Sequence, residues 1–263
     1  MALEKSEAVL LKMFNWSESS RTAIFFTDRF GKLPLVDKGG RSAKSKRGRL
    51  IAFAHLEVTF YKTEKQTNGY LSDCDIVEEF SIEKRGSLGR LAYGSAAGEL
   101  LNLLLPEQEA QPALFAYFLN YLGKVTRVDK QYLPGLFIAF YLRVMSQLGY
   151  HPSVGYCVSC NVESEKLEFV DGKVMFSPER GGLVCPACQK PGEYYIGLSA
   201  GQLQLLSVLQ RASLDEAATV PIGFQEASLL TETLTMFVKY HSGLISDIKS
   251  LEFLDKLKSS QPA

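Results

Sequence analysis

Four of the chain's five cysteines stand in two pairs, Cys157-Val158-Ser159-Cys160 and Cys185-Pro186-Ala187-Cys188, with twenty-four residues between them. A CxxC step lets two thiolates reach one ion from a single tight turn, and two such turns complete a tetrahedron. The separation is slightly wider than the roughly 15–20 residues usual in a zinc ribbon. The spacer KLEFVDGKVMFSPERGG reads as a hairpin turning at Asp171-Gly172. One structural zinc ion on Cys157, Cys160, Cys185 and Cys188 is therefore expected. All four ligands are thiolates, which leaves no open position for a catalytic water, so the metal stabilises a fold and performs no chemistry. Disulfides or a redox CxxC are the competing readings. The fifth cysteine, Cys74, lies in the strand-like run YLSDCDIV and reads as a small, partly buried hydrophobe.

A ribbon of this kind is one part of a 263-residue chain, 46% hydrophobic and 22% charged, long enough for one large domain or two to three small ones. The N-terminal MALEKSEAVLLKMFNW carries acids near its start and no small-residue cleavage site, so no secretory signal is expected. The longest apolar run, around GLFIAFYL, is far short of a membrane span, and a cytoplasmic location is expected by default.

The first eighty residues read as β. EAVLLKMF, RTAIFFT and KLPLVDK are short apolar runs, with DRFG turning the second into the third. HLEVTFYK alternates, Leu56, Val58 and Phe60 on one face and Glu57, Thr59 and Tyr61 on the other. After an Asn-Gly turn, GYLSDCDIVEEF supplies a fifth strand. Five strands in a self-contained module predict a small barrel of the OB type, with an SH3-like barrel or small sandwich as the alternative.

From about residue 84 the apolar spacing becomes helical. Leu88 to Leu104, Leu114 to Leu122 and Phe137 to Leu148 mark three stripes, the last ended by Gly149 and Pro152. Beyond the cysteines, Ser199 and Gln202 have the form of a capping box. A last helix carries Leu230, Leu234, Phe237, His241, Leu244 and Ile245, with His241 expected to pack and not to ligate; the terminal KLKSSQPA is expected to fray. The predicted class is α+β: an OB-fold-like barrel over 1–82, a helical domain over 83–150 and 193–258, and an inserted zinc ribbon over 151–192.

One segment breaks the charge balance. The chain has 29 Lys+Arg and 29 Asp+Glu, yet Lys38, Arg41, Lys44, Lys46, Arg47 and Arg49 fall within twelve residues. Gly39, Gly40, Ser42, Ser45 and Gly48 separate them, so the backbone can approach a polyanion closely and neutral hydroxyls join the charged donors to phosphate. A merely solvated loop or an address signal is the plainer reading. No enzyme constellation is present. His55-Leu56-Glu57 has the H-x-E form of a deaminase, but the required Pro-Cys-x-x-Cys is missing, because Pro186 lies inside the second knuckle.

Taken together, EAVLL, RFGK, the KGGRSAKS element, LGYHP, the first CxxC and FSPERGGLVCPAC resemble the bacterial RecO family of DNA repair proteins, over about residues 5 to 250. The resemblance implies a non-enzymatic mediator of recombinational repair, acting in the bacterial cytoplasm at the nucleoid. It implies binding of single- and double-stranded DNA, annealing of complementary strands, and work with RecR and the C-terminal tail of single-strand-binding protein to load RecA. It carries the metal to the four cysteines, and DNA contact to the basic loop. Stacking of unpaired bases is expected at one or two exposed residues among Phe25, Phe26, Phe53, Phe60 and Tyr61. The alternative function is a zinc-ribbon protein-binding adaptor without direct DNA contact.

Overall fold

The computed structural model describes residues 2–15, 17–18, 20–40, 50–62, 68–80, 82, 88–243 and 248–253. They divide between two compact units, Met1–Arg127 with Ile248–Ala263, and Val128–Asp247.

In the first unit, β1 (Ala2–Asn15), β2 (Arg21–Thr27), β3 (Gly31–Asp37), β4 (Ala54–Lys62) and β5 (Gly69–Glu79) close into a barrel in the order β1-β2-β3-β5-β4. This is the five-stranded OB arrangement. β1 serves two seams: residues 2–8 pair with β4 and residues 8–15 with β2, and a bulge between Leu10 and Lys12 supplies the bend. The parallel seam between β3 and β5 rests on Leu35↔Gly69 and Val36↔Tyr70. Gly69 is needed there, because a Cβ would stand 2.8 Å from Leu35 Cδ2 and 2.9 Å from the Tyr61 carbonyl.

The alternation along β4 turns Ala54, Leu56, Val58 and Phe60 inward to meet Ala23, Phe25, Leu33, Leu35, Leu71 and Cys74. Full burial of a side chain such as Phe25 or Phe60 contributes about 2–3 kcal/mol. Of the five rings considered for base stacking, Phe25, Phe26 and Phe60 are wholly buried and belong to the core. Phe25 and Phe26, being consecutive, take opposite faces of β2. Phe25 fills the barrel, and Phe26 meets Phe115 edge-on at 5.5 Å.

Phe115 belongs to α2 (Pro112–Val125), which begins at a proline, as suits a first helical turn. α1 (Leu88–Leu104) packs against β1 and β2 and buries Ala92, Ala96, Ala97, Leu100 and Leu101. The two helices are joined by the Tyr121 hydroxyl, which donates to the Tyr93 carbonyl at 3.0 Å.

The second unit is built around α3 (Leu133–Gln147), buried on nearly every side and ended by Gly149 at φ +88°. α4 (Ala200–Arg211), α5 (Leu214–Ala217) and α6 (Phe224–Ser242) pack against it. Leu244 and Ile245 lie outside the described residues; α6 closes at Gly243 in the left-handed conformation. The terminal KLKSSQPA also lies outside them. The ribbon is a sheet of β6 (Ser153–Cys157), β7 (Lys173–Ser177), β8 (Gly182–Val184) and β9 (Ile196–Ser199), in the order β6-β8-β7-β9. Asp171 and Gly172 do form the expected tight turn, both at positive φ. The hairpin it closes is only the Val170–Lys173 bridge, and β7 pairs instead with β8 and β9. Among the described residues no helix is long and apolar enough to cross a membrane.

Candidate metal centre and nucleic-acid interface

β6 and β8 run parallel, pairing Ser153↔Gly182 and Cys157↔Leu183 across a register shift, so Cys157 lies beside the end of β8 that leads to Cys185. Each then turns tightly. In the first knuckle, the Asn161 N–H donates to the Cys157 carbonyl at 2.9 Å, with Asn161 left-handed at φ +61°. In the second, Pro186–Cys188 make a 3-10 turn in which the Cys188 N–H donates to the Cys185 carbonyl at 2.9 Å. The result brings all four sulfurs of Cys157, Cys160, Cys185 and Cys188 within 4.8 Å of one another.

This donor set fits a tetrahedral ion. Zinc–sulfur bonds of about 2.3 Å require sulfurs roughly 3.8 Å apart, and Cys160 Sγ and Cys185 Sγ are separated by 3.7 Å. The same distance is too long for a disulfide, and all five cysteines are free. Electrostatics point the same way. Burial pushes the Cys157 thiol up, but N–H groups of Cys185, Ser159 and Cys160 aimed at its sulfur outweigh that and bring it down to about 6. Cys188, hydrogen-bonded to Cys185 and Cys160 and partly buried, is pushed up to about 12. The Cys157 thiolate that forms readily makes the Cys188 thiol beside it harder to ionise, a conflict that a cation between them relieves.

Around this cluster lies a polar clasp that the sequence reading did not single out. Arg180, on the turn between β7 and β8, donates from Nη1 to Ser159 Oγ at 2.9 Å and to the Cys188 carbonyl at 3.0 Å. Its Nη2 donates to Glu193 Oε1 at 2.7 Å. The Tyr195 hydroxyl donates to Glu193 Oε2 at 2.6 Å and accepts from the Lys190 N–H at 2.9 Å. Its only sequence signal was the FSPERGG element, whose contacts reach residues 8 and 21 positions away. His241 packs, as expected: it stacks on Phe237 at 4.5 Å and hydrogen-bonds the Pro178 carbonyl at 3.0 Å.

Of the six basic loop residues, Lys38 is described and Arg41, Lys44, Lys46, Arg47 and Arg49 lie outside the described residues. Lys38 follows β3 directly, exposed, with its Nζ 4.4 Å from the centre of the Tyr70 ring. Beneath it Asp37 is buried and accepts from Arg21 Nε at 2.8 Å. Gly40 folds back so close that a Cβ would fall 1.8 Å from Asp37 Oδ2. The barrel also places cations over two aromatic rings that the sequence reading passed over, the exposed Phe14 and the half-buried Phe30. Lys12 Nζ lies 4.6 Å from the centre of Phe14, and Arg29 and Lys62 lie 5.1 and 5.0 Å from that of Phe30. Of the rings named in advance, Tyr61 is exposed and Phe53 is half-buried. His55 hydrogen-bonds Glu7 at 3.1 Å in the β4–β1 seam.

Comparison with known proteins accounts for nearly the whole chain. The recombination protein O N-terminal family matches residues 1–80, and the recombination protein O C-terminal family matches residues 85–252. A DNA repair protein RecO from Symbiobacterium thermophilum is 29% identical over 262 residues, covering 99% of this chain and 100% of that protein. DNA repair protein RecO from Anaeromyxobacter dehalogenans is 27% identical over 254 residues, 96% of each chain. That from Thermoanaerobacter sp. is 27% identical over 261 residues, 98% of this chain and 100% of the relative. The barrel, the helical region with its four-cysteine cluster and these matches agree: the chain belongs to the RecO family of DNA repair and recombination proteins.

Proposed function

We propose that this RecO-family protein binds single- and double-stranded DNA, anneals complementary strands, and works with RecR and the C-terminal tail of single-strand-binding protein to load RecA. The observation that carries the reading is the OB barrel from which the basic segment departs at Lys38, directly after β3. Phosphates repel one another, so bringing two strands together requires cations that approach the backbone closely. Lys38, Arg41, Lys44, Lys46, Arg47 and Arg49 supply them, spaced by glycine and serine. Exposed rings such as Phe14 and Tyr61 offer stacking surfaces to unpaired bases. Annealing needs no covalent step, so the protein is a mediator and not an enzyme, working at the bacterial nucleoid in the cytoplasm. One zinc ion on Cys157, Cys160, Cys185 and Cys188 holds the two knuckles of the 151–192 ribbon, between the helical parts at 83–150 and 193–258.

The test is strand annealing of complementary oligonucleotides, bare and coated with single-strand-binding protein. The protein is expected to accelerate both, and replacement of Arg41, Lys44 and Arg47 together by Ala is expected to slow both. An unchanged annealing rate in a folded triple variant would remove the loop from the reading.

A further inference from the structure

The FSPERGG element, residues 176–182, forms the turn between β7 and β8. Its arginine reaches both knuckles. Ser159 lies between the two cysteines of the first, and Cys188 closes the second; Arg180 Nη1 donates to both, at 2.9 and 3.0 Å. The second arm of the fork is held by Glu193 at 2.7 Å, and Glu193 is itself fixed by Tyr195. We propose that Arg180 is a positioning residue of the metal centre, clasping the two cysteine knuckles at the separation a single tetrahedral ion requires.

This inference rests on the zinc reading above and adds a residue that does not touch the metal. Three features support it. The turn that carries Arg180 is rigidly built: its own N–H donates to Ser177 Oγ at 3.2 Å, the Gly181 N–H donates to the Ser177 carbonyl at 2.9 Å, and His241 holds the Pro178 carbonyl. A guanidinium is planar, so it fixes two partners in one geometry where a lysine fixes a point. Finally, an ion held by four thiolates bears net negative charge, and a permanent cation bonded to the Cys188 carbonyl offsets part of it. Groups of this kind around a metal site govern its affinity by orienting the ligands. An ordinary surface ion pair with Glu193 would contribute little and would leave the sulfurs unaffected.

Full-length protein loaded with zinc is titrated with a chromogenic chelator, and Co(II) is exchanged for zinc to read the thiolate-to-metal charge-transfer band. Arg180→Ala is expected to lower zinc affinity roughly 10–100-fold and to move the Co(II) band to lower energy, because the thiolates lose a neighbouring positive charge. Arg180→Lys keeps the charge without the fork; the band is expected to return toward the wild-type position while affinity stays low. Ser159→Ala cuts only the link to the first knuckle and is expected to lose less affinity than Arg180→Ala. A folded Arg180→Ala protein with wild-type affinity and band position overturns the proposal. Should Arg180→Ala fail to fold, Ser159→Ala decides alone, and wild-type affinity there overturns it. If the wild-type protein takes up neither zinc nor Co(II) through sulfur, the zinc reading itself fails; uptake by wild type with unchanged variants sinks only the role of Arg180.

Discussion

Asp37 is the lone acid beside the basic run, and the barrel buries it, at 1% exposure, with Arg21 across the β2–β3 seam. Arg21 is itself mostly covered. Removing one member of such a pair leaves the other charged and poorly solvated, so Asp37→Ala is expected to cost about 3 kcal/mol. Urea denaturation should show a lower midpoint with an unchanged slope. The double replacement Arg21→Met with Asp37→Leu should recover much of the loss. The sequence displayed Asp37 and its odd placement but could not pair it, because register joins residues sixteen positions apart. The cysteines were legible for the opposite reason. A CxxC step encodes its own turn, so two local signals sufficed for a site that the fold then assembled. Arg180 had no such local code, since its contacts depend on how β6, β7 and β8 lie beside one another.

The elements show the same division between local and assembled information. α4 was readable at its start: Ser199 Oγ accepts from the Gln202 N–H, and Gln202 reaches back to the Ser199 N–H. Ser199→Ala is expected to cost about 1 kcal/mol by thermal or urea unfolding. α5 and β9 are four residues each, too short for any periodicity, and went unseen. α5 relies on a second capping box, in which Glu216 accepts from the Ser213 N–H at 2.7 Å and from its hydroxyl at 2.8 Å. The Ser213 N–H first, and then its hydroxyl, hold the Glu216 carboxyl below its ordinary value of 4.5. A depressed carboxyl favours the folded state above that ordinary value, and the contribution is lost as pH falls through the lower folded one. Carbon NMR of the Glu216 carboxyl should therefore place its titration below 4.5. Glu216→Gln should abolish this local acid dependence while keeping the hydrogen-bonded cap. A Glu216 that titrates at or above its ordinary value would refute the cap as its cause. The strands of the barrel were legible as short apolar runs, one alternating run and their turns, but neither the first five residues of β1 nor the partition of the aromatics was. Phe26 needed knowledge of α2, which covers the outer face of β2.

At the scale of the whole molecule the decisive fact is a charge that cancels, 29 basic against 29 acidic residues. Exposed Asp73, Asp75, Glu78 and Glu79 on β5 are part of the balance. A neutral protein gains little long-range steering toward a polyanion, so its affinity has to come from a few close contacts. Each phosphate neutralised releases condensed counterions. If about five loop side chains meet phosphates, log affinity should fall with log salt at a slope of roughly −3.5 on single strands and −4.5 on duplex. Replacing Arg41, Lys44 and Arg47 by Ala should flatten each slope by about two to three units, nearly uniformly across DNA sequences, since phosphate contacts carry no base code. Zinc content should stay at the wild-type value, because the cysteine cluster is built wholly from residues 153–199 of the other compact unit. Fluorescence anisotropy across a salt series measures the slopes. A triple variant that folds, keeps its zinc, and keeps both its wild-type slope and its annealing rate would rule the loop out as the source of the phosphate contacts.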